Sequence, residues 1–351
     1  MNVILTIVHI FGLVTMGFSG LMTTCLITSK IADDGATTAF FEGTWITLLL
    51  GALMFFPTLR TPKKLSRQAG FLLVATTWSL TPVLCTIPLM IYMPALSFND
   101  AYFETVSGLT TTGATIFSGI DQLPMSINLW RHELCWIAGM GIIIFAVAIL
   151  PILGIGGMQL YKAESPGTVK ESDLPPRIAQ TAKALWMVYA GFTVACIIAL
   201  RLAGMNWFDA ICHAFSAMSL GGFSTHDSSI GFFNSLSIEM VLTLFQLLAA
   251  INFATHFVAL KKQSFNPYVD DREARGFLTL VLGSCVLAAS VLWHAGTYPD
   301  FFTALRYATF NLVTIATDCG FANYDFNHWR RPDWQLCGLS FGKERLSGQY
   351  I

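Results

Sequence analysis

The chain has 351 residues, of which 54% are hydrophobic and only 12% charged, with 20 Lys and Arg against 21 Asp and Glu. That is too little charge for an ordinary soluble surface, and the basic residues are interleaved with acidic ones, which gives no footprint for nucleic acid. The composition is that of an integral membrane protein.

In chain order, seven apolar stretches have roughly the 20 residues needed to cross a hydrocarbon core of about 30 Å. The first, residues 3–28, is too long for a removable signal peptide and lacks a basic start and a small-residue cleavage site. Spans at 38–59 and 70–94 follow, and then a short amphipathic segment, 98–110, which ends in a Thr- and Gly-rich turn. The same order recurs: a span at 132–153, a span at 184–204, a short segment at 207–219 with its glycine turn, and a span at 236–259. A last span, 276–296, leads to a third short segment at 305–317 and a third turn. Basic residues gather in three loops, Arg60, Lys63, Lys64 and Arg67, then Lys162, Lys170, Arg177 and Lys183, then Lys261, Lys262, Arg272 and Arg275. The excess of Lys and Arg marks those loops as cytoplasmic, which puts the N-terminus in the cytoplasm and all three glycine turns outside.

The three turns share a register. A glycine stands twelve residues after a matching alanine in each: Ala101 and Gly113, Ala210 and Gly222, Ala308 and Gly320. Ser107, Ser216 and Thr314 lie six residues before the glycine, and Glu104, His213 and Asn311 lie nine before it. Segments of a dozen residues are too short to span but long enough for a half-helix that enters the membrane and returns. Non-helical backbone at that depth requires protein or a watery cavity around it. Carbonyls presented about an axis replace the hydration shell of a cation, and half-helix C-termini add negative potential. A single such turn is better explained as a helix C-cap over a bundle, whereas three in register, all on one side, favour an ion filter. Glu104, His213 and Asn311 are read as hydrogen-bonding supports of the pore helices, because their mixed chemistry argues against one shared catalytic role. Asn252 and His256, one helical turn apart on the span 236–259, are candidates for lining a cavity below the filter or for a helix–helix hydrogen bond. Pro151 reads as a span terminus or kink. The cysteines and histidines show no metal-ligand spacing, and Gly154–Gly157 follows a span instead of a strand, so it is no dinucleotide fingerprint. Two other classes stay open: an intramembrane enzyme using Glu104, His213 or His256, and a structural or regulatory subunit.

The runs Phe103–Thr115, Gly139–Pro151, Gly156–Gly167 and Leu220–His226 closely resemble the Trk potassium-uptake family in its bacterial TrkH/TrkG branch, over nearly all of residues 1–330. The resemblance implies an all-α integral membrane fold of four M1–P-loop–M2 repeats around one pore, preceded by two extra spans. It also implies a homodimer in the bacterial inner membrane, surrounded by lipid. By position it assigns the filter carbonyls to Thr111, Thr112 and Gly113, to Leu220, Gly221 and Gly222, and to Asp318, Cys319 and Gly320, with potassium as the ion and no cofactor on this chain. The implied partner is a cytosolic TrkA-like regulatory subunit carrying NAD or ATP. On this reading residues 1–66 are a two-span segment, 67–170 and 171–270 are complete repeats, and 271–334 is a repeat without its M2. The polar tail 335–351 departs from the family pattern. It reads as the result of a reading-frame change or truncation, with a non-conducting remnant that pairs with an intact homologue as the alternative.

Overall fold

The protein is described by a computed structural model covering residues 2–60, 67–148 and 174–323. Lys63, Lys64, Pro151, Lys162, Lys170, the run Gly156–Gly167 and the tail 335–351 lie outside those residues.

Every regular element among the described residues is helical. Helices α1 (Asn2–Ala32) and α2 (Thr37–Phe55) form an N-terminal hairpin. Lipid tails are as apolar as leucine, so this pair gains nothing from hydrophobic burial and depends on close approach. Gly12 and Gly51 supply it: a Cβ on either would stand 2.9 Å from the other's carbonyl oxygen. The turn between the helices carries Asp34, which accepts from Ala36 N at 3.1 Å and reaches across to Ser126 N at 2.8 Å.

The first repeat consists of α3 (Arg67–Cys85) and its short continuation α4 (Ile87–Tyr92), the half-helix α5 (Phe98–Leu109) and the long α6 (Met125–Ala148). The second has α7 (Leu174–Leu202), the half-helix α8 (Trp207–Ser219) and the pair α9 (Leu236–Ala250) and α10 (Phe253–Lys262). After the small α11 (Asn266–Asp270) come α12 (Arg272–His294) and the half-helix α13 (Phe301–Ala316). Each half-helix starts at a side-chain cap: Ser97 accepts from Asp100 N, Asn206 from Asp209 N and Asp300 from Thr303 N. Large apolar side chains point outward along the spans, among them Leu280 at 70% and Leu287 at 68% exposure on α12, as lipid-facing surfaces require.

The helix expected from 184 starts ten residues earlier, at Leu174, and two other departures from the hydropathy reading have a local cause. The span expected at 132–153 starts at Met125, because Asn128, Arg131, His132 and Glu133 find partners inside the protein and the Asp34 carboxylate caps Ser126 N. The span expected at 236–259 is broken, with α9 and α10 meeting at an angle of 96°. No glycine or proline marks the break. Asn252 makes it by capping α10 through Ala254 N at 2.9 Å, and His256 donates from Nε2 to the carbonyl of Leu248 at 2.8 Å while accepting from Tyr268 at 2.9 Å. The bend thus places a side-chain donor on a carbonyl of the last turn of α9, which also accepts from Ile251 N at 3.2 Å.

Among the described residues the interior has two large clusters and two small ones between α12 and α13. Of the large ones, one joins Phe18 and Met22 of α1, Phe40 of α2, Leu89 of α4, Trp130 and Leu134 of α6 and Cys212 of α8. The other joins α7, α8 and α9 to Phe310, Cys319 and Phe321 of the third turn. Cys25, Cys85, Cys135, Cys196 and Cys212 are fully buried and unbridged, and act as the small fillers their sequence context implies.

Candidate functional site

The half-helices α5, α8 and α13 end in three copies of one turn. The backbone N–H of the residue before each glycine donates five residues back, Thr112 to Ser107, Gly221 to Ser216 and Cys319 to Thr314, each at 2.9 Å. The residue two before the glycine is left-handed, with φ of 53° at Thr111, 55° at Leu220 and 60° at Asp318, and the glycines follow at 71°, 68° and 86°. Left-handed geometry at three side-chain-bearing residues costs on the order of 1–3 kcal/mol each, which the surrounding contacts must offset.

The turns lie side by side. A Cβ on Gly113 would stand 2.1 Å from the carbonyl oxygen of Gly221, and one on Gly222 would stand 1.9 Å from that of Cys319. Gly113 and Gly222 therefore each stand against the carbonyl that precedes the next glycine, in the order first, second, third. Among the described residues, which end at Asn323, a Cβ on Gly320 meets nothing within 4 Å, so none of them extends the arc beyond the third turn. All nine residues expected at the filter are brought together in this arc.

The residues nine before each glycine pin the chain that leaves the turn. Glu104 accepts from Thr115 Oγ1 at 3.0 and 3.1 Å and from Ile116 N at 3.0 Å. His213 donates from Nδ1 to Asp209 O at 2.8 Å and accepts from Ser224 Oγ at 2.9 Å. Asn311 donates to Tyr307 O at 2.9 Å and to Asn323 Oδ1 at 2.8 Å. Three different side chains thus make the same connection, from the middle of the half-helix to the segment two or three residues past the glycine. Asn252 and His256 stand apart from the turns, at the α9–α10 break. The ring of His256 is fully buried and both its nitrogens are engaged, by Tyr268 and by the carbonyl of Leu248.

Several partners escaped the sequence reading. Arg131 of α6, 1% exposed, pairs with Glu104 at 2.7 Å and donates to Thr115 Oγ1 and Asn128 Oδ1, each at 3.1 Å. Its guanidinium lies 4.3 Å from the centroid of Phe223, the residue after Gly222, so it joins the first turn to the second. His132 beside it donates to Asn128 O at 2.6 Å. Arg306 on α13 makes a two-pronged contact with Glu239 of α9 at 2.7 and 2.8 Å, while Gly231 N donates to Ala322 O at 3.1 Å. These contacts join the second repeat to the third. The available signal was the presence of an arginine within an apolar helix, which in a membrane demands a partner.

Above the turns, His226 bridges two repeats. Its Nδ1 pairs with Asp121, its Nε2 lies 3.4 Å from Asp209, and its ring stacks on Phe232. Burial pulls its pKa down, but hydrogen bonds and charge from Asp209 and Asp121 outweigh that and hold it above 6.5. Burial likewise pushes Asp121 up, and contacts led by the His226 hydrogen bond bring it below 3.8. The stability contributed by protonated His226 is therefore full below its unfolded value of 6.5 and is lost as pH rises through the raised folded value. The share from Asp121 is lost only as pH falls through its depressed value. The melting temperature of the purified protein should decline as pH rises from 6.5 through the raised folded value of His226, and His226→Gln should flatten that decline. An unchanged slope in the variant would show that the bridge does not titrate.

A family profile described as TrkH, cation transport protein, matches residues 36–332. The chain belongs to the TrkH family. It is 47% identical over 325 residues to "Trk system potassium uptake protein TrkH" of Halomonas elongata, a match covering 92% of this chain and 67% of that protein. The protein of the same name from Escherichia coli is 42% identical over 339 residues, covering 96% of this chain and 70% of the relative. The crystal structure of the potassium transporter TrkH from Vibrio parahaemolyticus superposes with a TM-score of 0.82 at 38% identity, covering 93% of this chain and 67% of that one. As a TrkH-family member this chain is a multi-pass, all-helical membrane protein of a transport family, not an enzyme.

Proposed function

We propose that this chain takes up potassium across the bacterial inner membrane as the pore subunit of a Trk-type system. The ion is coordinated by the backbone carbonyls of Thr111, Thr112 and Gly113, Leu220, Gly221 and Gly222, and Asp318, Cys319 and Gly320. The observation that carries this reading is the threefold repetition of one strained turn, with Gly113 and Gly222 each against the next turn's carbonyl. Carbonyl coordination tolerates the change from Thr-Thr-Gly to Leu-Gly-Gly and Asp-Cys-Gly, because the side chains only support the backbone that holds the ion. The half-helices point their C-terminal, partly negative ends at the turns and so favour a cation. Inward movement of one charge gains about 2.3 kcal/mol per 100 mV, and no covalent chemistry is needed.

The remaining features follow the family resemblance. The N-terminus is cytoplasmic, the basic loops face a TrkA-like subunit that carries NAD or ATP, and two copies pair as a homodimer. The end of the arc at Gly320 favours a second reading as well. In it the ring closes only when a fourth turn reaches that flank, and the chain is a non-conducting subunit alongside an intact homologue.

Rubidium uptake by potassium-transport-deficient bacteria expressing the chain, with its membrane abundance measured and Gly113→Ser as control, separates the two. Uptake that the control abolishes establishes conduction by this chain. No uptake at normal abundance supports the second reading.

A further inference from the structure

Outside the filter, one buried acid has no cation to balance it. Glu133 of α6 is 6% exposed and faces α1, where its Oε1 lies 2.5 Å from Thr24 Oγ1 and its Oε2 lies 3.5 Å from the thiol of Cys25. Among the described residues no Lys, Arg or His nitrogen comes within 4.0 Å of it. Its neighbours on α6 are committed elsewhere, Arg131 to Glu104 and His132 to the carbonyl of Asn128. The titratable groups that face it are two buried thiols, Cys25 from α1 and Cys212 from α8. An ionised carboxylate in such surroundings is far more costly than a neutral acid.

Donor counting gives an independent argument. Thr24 Oγ1 also lies 2.7 Å from the carbonyl of Leu21, one helical turn earlier. A hydroxyl has one hydrogen, and a carbonyl oxygen only accepts. If Thr24 donates to Leu21, the hydrogen in its contact with Glu133 has to come from the acid. If Thr24 donates to Glu133 instead, two lone-pair oxygens face each other at 2.7 Å with nothing between them. The first arrangement satisfies every group.

We infer that Glu133 is an intramembrane proton-binding site, a neutral carboxylic acid that donates to Thr24 and joins the N-terminal hairpin to the first repeat. It lies eight residues into α6, about 12 Å along the helix at 1.5 Å per residue, in the half of the span that carries the pore half-helices. Release of the proton would leave a bare charge at the α1–α6 contact.

The test is infrared spectroscopy of the purified full chain in lipid, which requires no transport and so stands or falls independently of the proposed function. At neutral pH the spectrum should contain the carbonyl stretch of a protonated carboxylic acid. Glu133→Gln should remove it, and Thr24→Val should move it to higher frequency by removing the hydrogen-bond acceptor. A folded Glu133→Gln protein whose spectrum in that region equals the wild type would overturn the inference. If that variant does not fold, Thr24→Val decides: a shifted band supports the site and an unmoved band refutes it.

Discussion

Gly222→Ala should reach the membrane and carry no rubidium. The added Cβ would sit 1.9 Å from the carbonyl oxygen of Cys319, and both clashing groups belong to backbone, so no rotamer change relieves the contact. The positive φ of 68° adds strain of about 1–3 kcal/mol for any residue with a side chain. The second and third turns must separate, and the spacing of their carbonyls with them. Gly320→Ala is the matched comparison, since it meets the same φ penalty at 86° but no atom within 4 Å. Uptake and selectivity should fall far less in that variant. Equal losses in the two would mean that the contact between turns is unimportant, and normal potassium selectivity in Gly222→Ala would remove these carbonyls from the ion path. A melting curve of each purified variant separates a distorted filter from an unfolded protein.

Arg131→Met should destabilise the folded protein by about 3–5 kcal/mol, the usual cost of removing one partner of a buried ion pair. Both groups of the pair are 1% exposed, so the remaining Glu104 carboxylate has no water to turn to. The loss reaches beyond the pair, because Arg131 also holds Thr115 and packs on Phe223. Glu104→Gln combined with Arg131→Met should cost less than the sum of the single changes, since the double variant buries no net charge there. Thermal or denaturant unfolding in a fixed lipid or detergent checks this. A single variant within about 0.5 kcal/mol of wild type, the range of an ordinary surface change, would contradict it.

Much of the three-turn arc was legible because its determinants are local. A twelve-residue spacing from alanine to glycine, repeated three times, fixes both the half-helix length and the position of the left-handed turn. The equivalence of Glu104, His213 and Asn311 followed from the same register, although their chemistry differs. What escaped depends on partners distant in sequence. Arg131 lowers the apolar character of the start of α6 and so hid its first turns, yet Glu104, 27 residues earlier, neutralises it. The α9–α10 break was invisible because Leu236–Lys262 contains neither glycine nor proline. Asn252 and His256 were visible as polar residues, but their part in a bend depends on Leu248 and Tyr268. Hydropathy records the average character of a segment, and these two departures arise where single polar side chains are satisfied by tertiary contacts.

The head-to-shoulder stacking of the turns links them in series. Cys319 bears on Gly222, and Gly221 of that same turn bears on Gly113, so a push on the third turn is passed through two hard contacts to the first. No turn can widen alone without opening a gap or driving an oxygen into its neighbour. The flank at Gly320 is then the end of a lever: whatever rests against it sets the spacing of the backbone at Thr111 to Gly113, at the opposite end of the arc.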